Sequence, residues 1–138
     1  DLGGWDSHFS QGLLMDPLMT RLARGLAAFQ KDLNRDMAQT TVVVMTEFGR
    51  RVEENSAFGT DHGRGSVMFV LGGGIQGGRV LGSWPGLSRE VLDGPGDLPV
   101  TTNYRNVLVP LLQRHGATTE SLPQIFPGFE IHPVALFG

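Results

Sequence analysis

Two stretches of the sequence carry side chains suited to holding a metal ion. The first is Gly3-Gly4-Trp5-Asp6-Ser7-His8, where an aspartate and a histidine stand two residues apart. On an extended segment such residues share a side, so a carboxylate oxygen and an imidazole nitrogen can reach one ion. The same residues also fit a polar turn, with Asp6 bonded to nearby amides and His8 at the surface. The second stretch is Gly59-Thr60-Asp61-His62-Gly63-Arg64-Gly65. Flanking glycines let the backbone turn sharply and approach a ligand, and an oxygen and nitrogen donor together suit zinc, manganese or iron. A solvated polar turn is the plainer reading of this segment. Taken together, Asp6, His8, Asp61 and His62 offer four ligands, enough for one site or for half of a two-metal site. The leading expectation is a metal-dependent hydrolase that uses divalent ions, zinc or manganese first among them.

Between the two stretches stands Thr46-Glu47-Phe48-Gly49-Arg50-Arg51. Glu47 is placed to orient a ligand or to act as a base. Arg50, Arg51 and Arg64 can clamp an anionic ester through charged hydrogen bonds. Ion pairs of these arginines with Glu47, Glu53 and Glu54 explain the same residues without chemistry. His115 falls where a helix is expected to end, a place that favours a cation, and is assigned to structure. His132, beside Pro133, is assigned to packing, with a ligand role as the alternative. Gly72-Gly73-Gly74-Ile75-Gln76-Gly77 matches a dinucleotide-binding pattern, yet Gly78 to Pro85 cannot open the helix that such a site needs. No nucleophile elbow, P-loop or H-E-x-x-H motif occurs.

The elements that must position these residues are partly legible. Asp16-Pro17 reads as a helix start. Leu18, Leu22, Leu26, Phe29 and Leu33 then recur at helical spacing, predicting a helix to about Arg35. The run Thr40-Thr41-Val42-Val43-Val44-Met45-Thr46 is β-branched almost throughout, the pattern of a strand buried on both faces of a parallel sheet. Val67 to Leu71 reads as another central strand. The fold expected from this order is α/β, mostly parallel sheet with flanking helices, with the ligands beyond the carboxyl ends of the strands. Residues 72–100 read as a meandering excursion or small hairpin. A second helix is capped by Thr102 or Asn103, carries Tyr104, Val107, Leu108, Leu111 and Leu112, and stops near His115-Gly116. The tail from Ile125 reads as an extended cover.

Composition narrows the classes further. The chain has 138 residues, 40% of them hydrophobic, with 20 glycines and 8 prolines, which excludes collagen-like and disordered readings. Its 14 acidic and 11 basic residues leave a net charge of −3, not the basic footprint of a nucleic-acid binder, so no nucleic-acid partner is expected. Zero cysteines exclude disulfides, thiolate zinc sites and cysteine nucleophiles. No apolar run approaches the roughly 20 residues of a membrane span. One domain is expected over residues 1–138, and the abrupt, chemically rich start at Asp1 suggests a fragment of a longer protein.

As a set, the Gly3–His8, Thr46–Arg51 and Gly59–Gly63 motifs, with Gly77-Gly78-Arg79-Val80, Trp84-Pro85-Gly86 and Phe126-Pro127-Gly128, resemble the bacterial family called domain of unknown function 1501. That family is similar to a branch of the alkaline phosphatase and sulfatase superfamily. The resemblance implies an alkaline-phosphatase-like fold with a two-metal centre. Asp6 and His8 would belong to one metal position, and Asp61 and His62 to the other. It further implies that this chain is the carboxyl-terminal part of a longer, exported protein whose nucleophile lies upstream, acting on a small anionic phosphate or sulfate ester. A non-catalytic binding module that retains only the fold is the rival expectation.

Overall fold

The helical spacing of Leu18, Leu22, Leu26, Phe29 and Leu33 is realised in helix α1 (Gln11–Leu33) of the computed structural model, which describes residues 2–138. Asp1 lies outside the described residues. The helix begins a turn and a half before Asp16-Pro17, so Pro17 sits inside it. Its start needs no side-chain cap, because two carbonyls of a distant loop meet the amides there. Ser10 N donates to Ala57 O at 3.0 Å and Gln11 N to Phe58 O at 2.9 Å. These bonds fasten the head of α1, directly after His8, to the segment that leads into Asp61 and His62. A 3-10 turn over Asn34–Gln39 then leads out of the helix.

Strand β1 (Thr41–Val44) comes from the expected β-branched run, but its partner lies in the opposite sense. It pairs antiparallel with β4 (Phe69–Gly72), Val43 opposite Val70. Between them β2 (Gly49–Arg50) and β3 (His62–Gly63) form a second antiparallel pair, Gly49 opposite Gly63 and Arg50 opposite His62. Each sheet has two strands. The expected α/β architecture with a mostly parallel, alkaline-phosphatase-like sheet is therefore overturned: no parallel pair occurs among the described residues. The reason is in the connection. Parallel neighbours need a crossover, usually a helix, between them. Residues 45–68 contain no helix and instead hold the β2–β3 hairpin, so the chain comes back along β1 in the reverse direction. An unbroken β-branched run specifies a strand without specifying the direction of its neighbour. The four β1 residues are also only half-buried, not enclosed on both faces.

Helix α2 (Tyr104–Arg114) matches its sequence signals closely. Asn103 Oδ1 accepts from Arg105 N at 3.0 Å as the N-cap, and Gly116 takes a φ of 101° just after the helix. A short helix α3 (Leu122–Ile125) and the extended tail follow. Residues 73–103 are mostly irregular, with a 3-10 turn at Arg89–Val91 and an Asp93–Asp97 bridge. The buried apolar side chains are Val109 and Leu111 of α2, Leu122 of α3 and Leu136 of the tail. Backbone bonds hold the tail against α2 and the 75–77 turn: Val134 N to Asn106 O and Gln76 N to Leu136 O, both 2.9 Å. No α1 residue is buried.

The accessible surface is 9581 Å² for a chain of 14.9 kDa, roughly a third more than the ~7,000 Å² expected of a folded monomer of this mass. No helix among the described residues is long and apolar enough to cross a membrane. Since the closed packing lies around α2, Leu111→Ala is expected to lower unfolding free energy by about 2–5 kcal/mol in urea titrations, and Leu22→Ala by less than about 1 kcal/mol. The reverse order would place the core at α1.

Candidate metal centre

Asp6 and His8 lie on the extended segment before α1, and their side chains meet: His8 Nε2 is 3.0 Å from Asp6 Oδ1. From the other end of the hairpin, His62 on β3 brings its Nε2 to 2.7 Å from the same oxygen. The two imidazole rings sit 4.7 Å apart, tilted by 44°. One ligand atom from each of Asp6, His8 and His62 lies within 4.8 Å of the others. Side-chain exposures of 65% for Asp6, 43% for His8 and 46% for His62 leave the cluster open to solvent on one side.

Glycine makes this meeting possible. A Cβ on Gly59 would collide with the backbone of His8 and Phe9, so only glycine lets the 59–62 loop lie flat against the first ligand segment. Asn55 bonds both sides of that contact. Its Nδ2 donates to His8 O at 3.0 Å and to Asp61 Oδ1 at 3.2 Å, while its Oδ1 accepts from Ala57 N and Gly59 N. The Thr60 hydroxyl donates to Gln11 Oε1 at 2.7 Å, tying the same loop to the first turn of α1.

Arg50 closes the arrangement. Its Nη2 donates to Trp5 O at 2.7 Å and its Nη1 to Thr60 O at 2.8 Å. One guanidinium therefore holds the residue before Asp6 and the residue two before His62. Phe48 stacks on the His62 ring, centroids 4.3 Å apart and planes 20° from parallel, and Arg50 Cζ lies 4.9 Å from the Phe48 centroid.

Of the four ligands expected, Asp6, His8 and His62 converge and Asp61 stands aside. The Asp61 carboxylate accepts from Asn55 and, at 3.4 Å, from Arg51 Nη1, and its Oδ1 is 4.0 Å from His8 Nδ1. Among the described residues the one group of three such side chains is Asp6, His8 and His62, and Asp61 is not in it. Arg50, expected to clamp an anion, has donors committed to backbone carbonyls. Arg51 lies between Asp61 and Asp97, its Nε 3.5 Å from Asp97 Oδ1. Arg64 is 68% exposed, 3.9 Å from Asp93. Glu47 is exposed in the bend after β1 and forms no ion pair among the described residues. His115 bonds Thr41 Oγ1 at 3.1 Å and His132 pairs with Glu130 at 3.2 Å, so neither joins the cluster. Sequence patterns do not mark Phe48 and Asn55 as site residues. A ring and an amide carry no ligand signature, and only the register Arg50 opposite His62 reveals where Phe48 falls.

Two imidazole nitrogens and one carboxylate oxygen form a donor set that fits zinc, manganese or iron, with further coordination positions left to water or substrate. The described chain is thus a mixed helix and antiparallel-strand protein with a two-histidine, one-carboxylate cluster. It belongs to the family described as "Protein of unknown function (DUF1501)", whose model matches residues 1–123. No curated protein and no solved structure matches the chain.

The hydrogen bond from His62, outweighing partial desolvation and joined by that from His8, holds the Asp6 carboxyl below its ordinary value of 3.8. The folded state thus favours ionised Asp6. The stability this contributes is complete above the ordinary value and is lost as pH falls through the lowered one. Carbon-13 NMR should place the Asp6 titration below 3.8 and His62→Ala should raise it; a midpoint at or above 3.8 in the parent chain contradicts the geometry. Gly59→Ala is expected to destabilise the chain by more than about 1 kcal/mol in chemical denaturation, because backbone has to move to admit the methyl.

Proposed function

We propose that this chain carries a divalent-metal centre, formed by Asp6, His8 and His62, of a hydrolase acting on phosphate or sulfate esters. The observation that carries the reading is the convergence of those three ligand atoms within 4.8 Å, from segments more than fifty residues apart. A carboxylate oxygen and two imidazole nitrogens are the donors that a borderline divalent metal takes.

A divalent ion held there supplies positive charge to an anionic ester oxygen and acidifies water near it. The chain's own residues do the rest. Asp6, His8 and His62 turn their ligand atoms toward one another, and their side chains are 65%, 43% and 46% exposed, so a substrate can reach them from solvent. Arg64, two residues beyond His62 and 68% exposed, can hold the ester's outer oxygens by exchanging its exposed pairing with Asp93. Glu47, exposed after β1, is the residue available as a base. Arg50 keeps the two ligand segments together. The chain's surplus of accessible surface supports a reading in which it packs against further protein.

Elemental mass spectrometry of the purified chain tests this. Near-stoichiometric zinc, manganese or iron is expected, and an Asp6→Ala, His62→Ala double variant that stays folded by circular dichroism should hold none. Added metal should confer turnover of 4-nitrophenyl phosphate or 4-nitrophenyl sulfate on the longer protein. Failure of the chain to take up any of these ions overturns the reading. Uptake without turnover in the longer protein would leave a metal-binding module and refute the hydrolase.

A further inference from the structure

The β2–β3 ladder and the residue just before it set three side chains on one face. Arg50 stands directly opposite His62, and directly opposed residues of an antiparallel pair share a face. Phe48 precedes Arg50 by two residues, which returns it to that face, diagonal to His62. The stack follows from this register: Phe48 and His62 rings lie 4.3 Å apart and nearly parallel. Arg50 approaches the same Phe48 ring at 4.9 Å while its two bonds fix it to Trp5 O and Thr60 O.

We propose that Phe48 is the positioning residue of the metal centre: its ring, fixed by Arg50, sets the plane of the His62 imidazole so that Nε2 faces Asp6. The inference rests on the metal reading above but adds a residue that has no ligand atom. An imidazole on β3 that is 46% exposed would otherwise turn about its side-chain bonds, and each rotamer turned away would have to be ordered again on binding. Stacking against a held ring removes that freedom beforehand, as groups behind metal ligands do in general. Arg50 does the same from further back. Its guanidinium acts on the ring and on both ligand segments, not on a substrate anion.

The test uses the full chain and cobalt(II) as the probe, with dissociation constants from calorimetry and the visible absorption spectrum as a signature of ligand geometry. Phe48→Leu, which keeps apolar bulk but removes the ring, is expected to weaken cobalt binding about 10- to 100-fold and to alter the spectrum, while Phe48→Tyr stays within about twofold of the parent. In the metal-free protein, the His62 ring protons should lie upfield in the parent and in Phe48→Tyr and lose that shift in Phe48→Leu. Thermal unfolding of each variant separates loss of fold from loss of the site. If the parent binds cobalt and Phe48→Leu binds it equally with the same spectrum, Phe48 does not position His62 and the metal reading survives. Weakening in both variants alike would also overturn the inference, since the ring would not be what matters. A parent that binds no cobalt removes the metal reading and this inference together.

Discussion

The arrangement depends on one guanidinium. Arg50 joins two carbonyls that belong to segments forty-five and ten residues away from it, Trp5 and Thr60, at 2.7 and 2.8 Å. Hydrogen bonds from a charged donor are worth about 1.5–3 kcal/mol each, more than neutral ones. A planar fork can satisfy two acceptors at once, which a lysine ammonium does with less directional control. Besides that clasp, the Asp6–His8 segment and the strand of His62 are joined by Asn55 and by the bonds of Ser10 and Gln11 to the 57–60 loop. Glycine at 49, 59 and 63 is the backbone counterpart of the clasp. At each of these positions a Cβ would run into the backbone of a neighbouring segment, so the segments approach only because none is present. The cluster results from that closeness: carboxylate and imidazoles meet because their backbones are held within reach.

How much of this the sequence discloses depends on the interaction. Helix α2 is legible because its determinants are local: a capping asparagine, apolar residues at helical spacing and a glycine that adopts positive φ. The body of α1 is legible for the same reason. Its start is not, because the amides of Ser10 and Gln11 are met by Ala57 and Phe58, residues no local pattern connects to them. Asp16-Pro17 imitates a helix start without being one. The strands show the limit most clearly. Val42, Val43 and Val44 announce extended backbone, but whether the neighbouring strand runs parallel or antiparallel is decided by the absence of a crossover helix in residues 45–68.

The site divides in the same way. Donor chemistry points to Asp6, His8 and His62, since those residue types are what a borderline metal prefers and glycine-rich loops present them. It also nominates Asp61, whose carboxylate turns to Arg51 and Asn55 instead. An adjacent Asp-His pair has one residue on each side of an extended strand, so His62, paired in the ladder, reaches the cluster at the expense of its neighbour. The charge of Arg50 suggests a clamp for anions. Its actual partners are uncharged carbonyls, which no pattern of charges reveals. What sequence supplies is the inventory of donors; the backbone approach supplies their selection.

An exposed cluster on a thinly packed chain is a consistent design if binding and folding are linked. Among the described residues the buried apolar set is Val109, Leu111, Leu122 and Leu136, all of it away from Asp6, His8 and His62. The segments that carry the ligands are therefore stabilised by hydrogen bonds and glycine contacts more than by apolar burial. Such segments open locally at little cost. A ligand that binds only the assembled arrangement adds its binding free energy to that arrangement's stability. The three side chains come from two segments that Arg50 and Asn55 hold by hydrogen bonds, so an ion shared among them closes the same loop a second time. The guanidinium behind the site is one source of positional rigidity, and an ion bound in front would be a second.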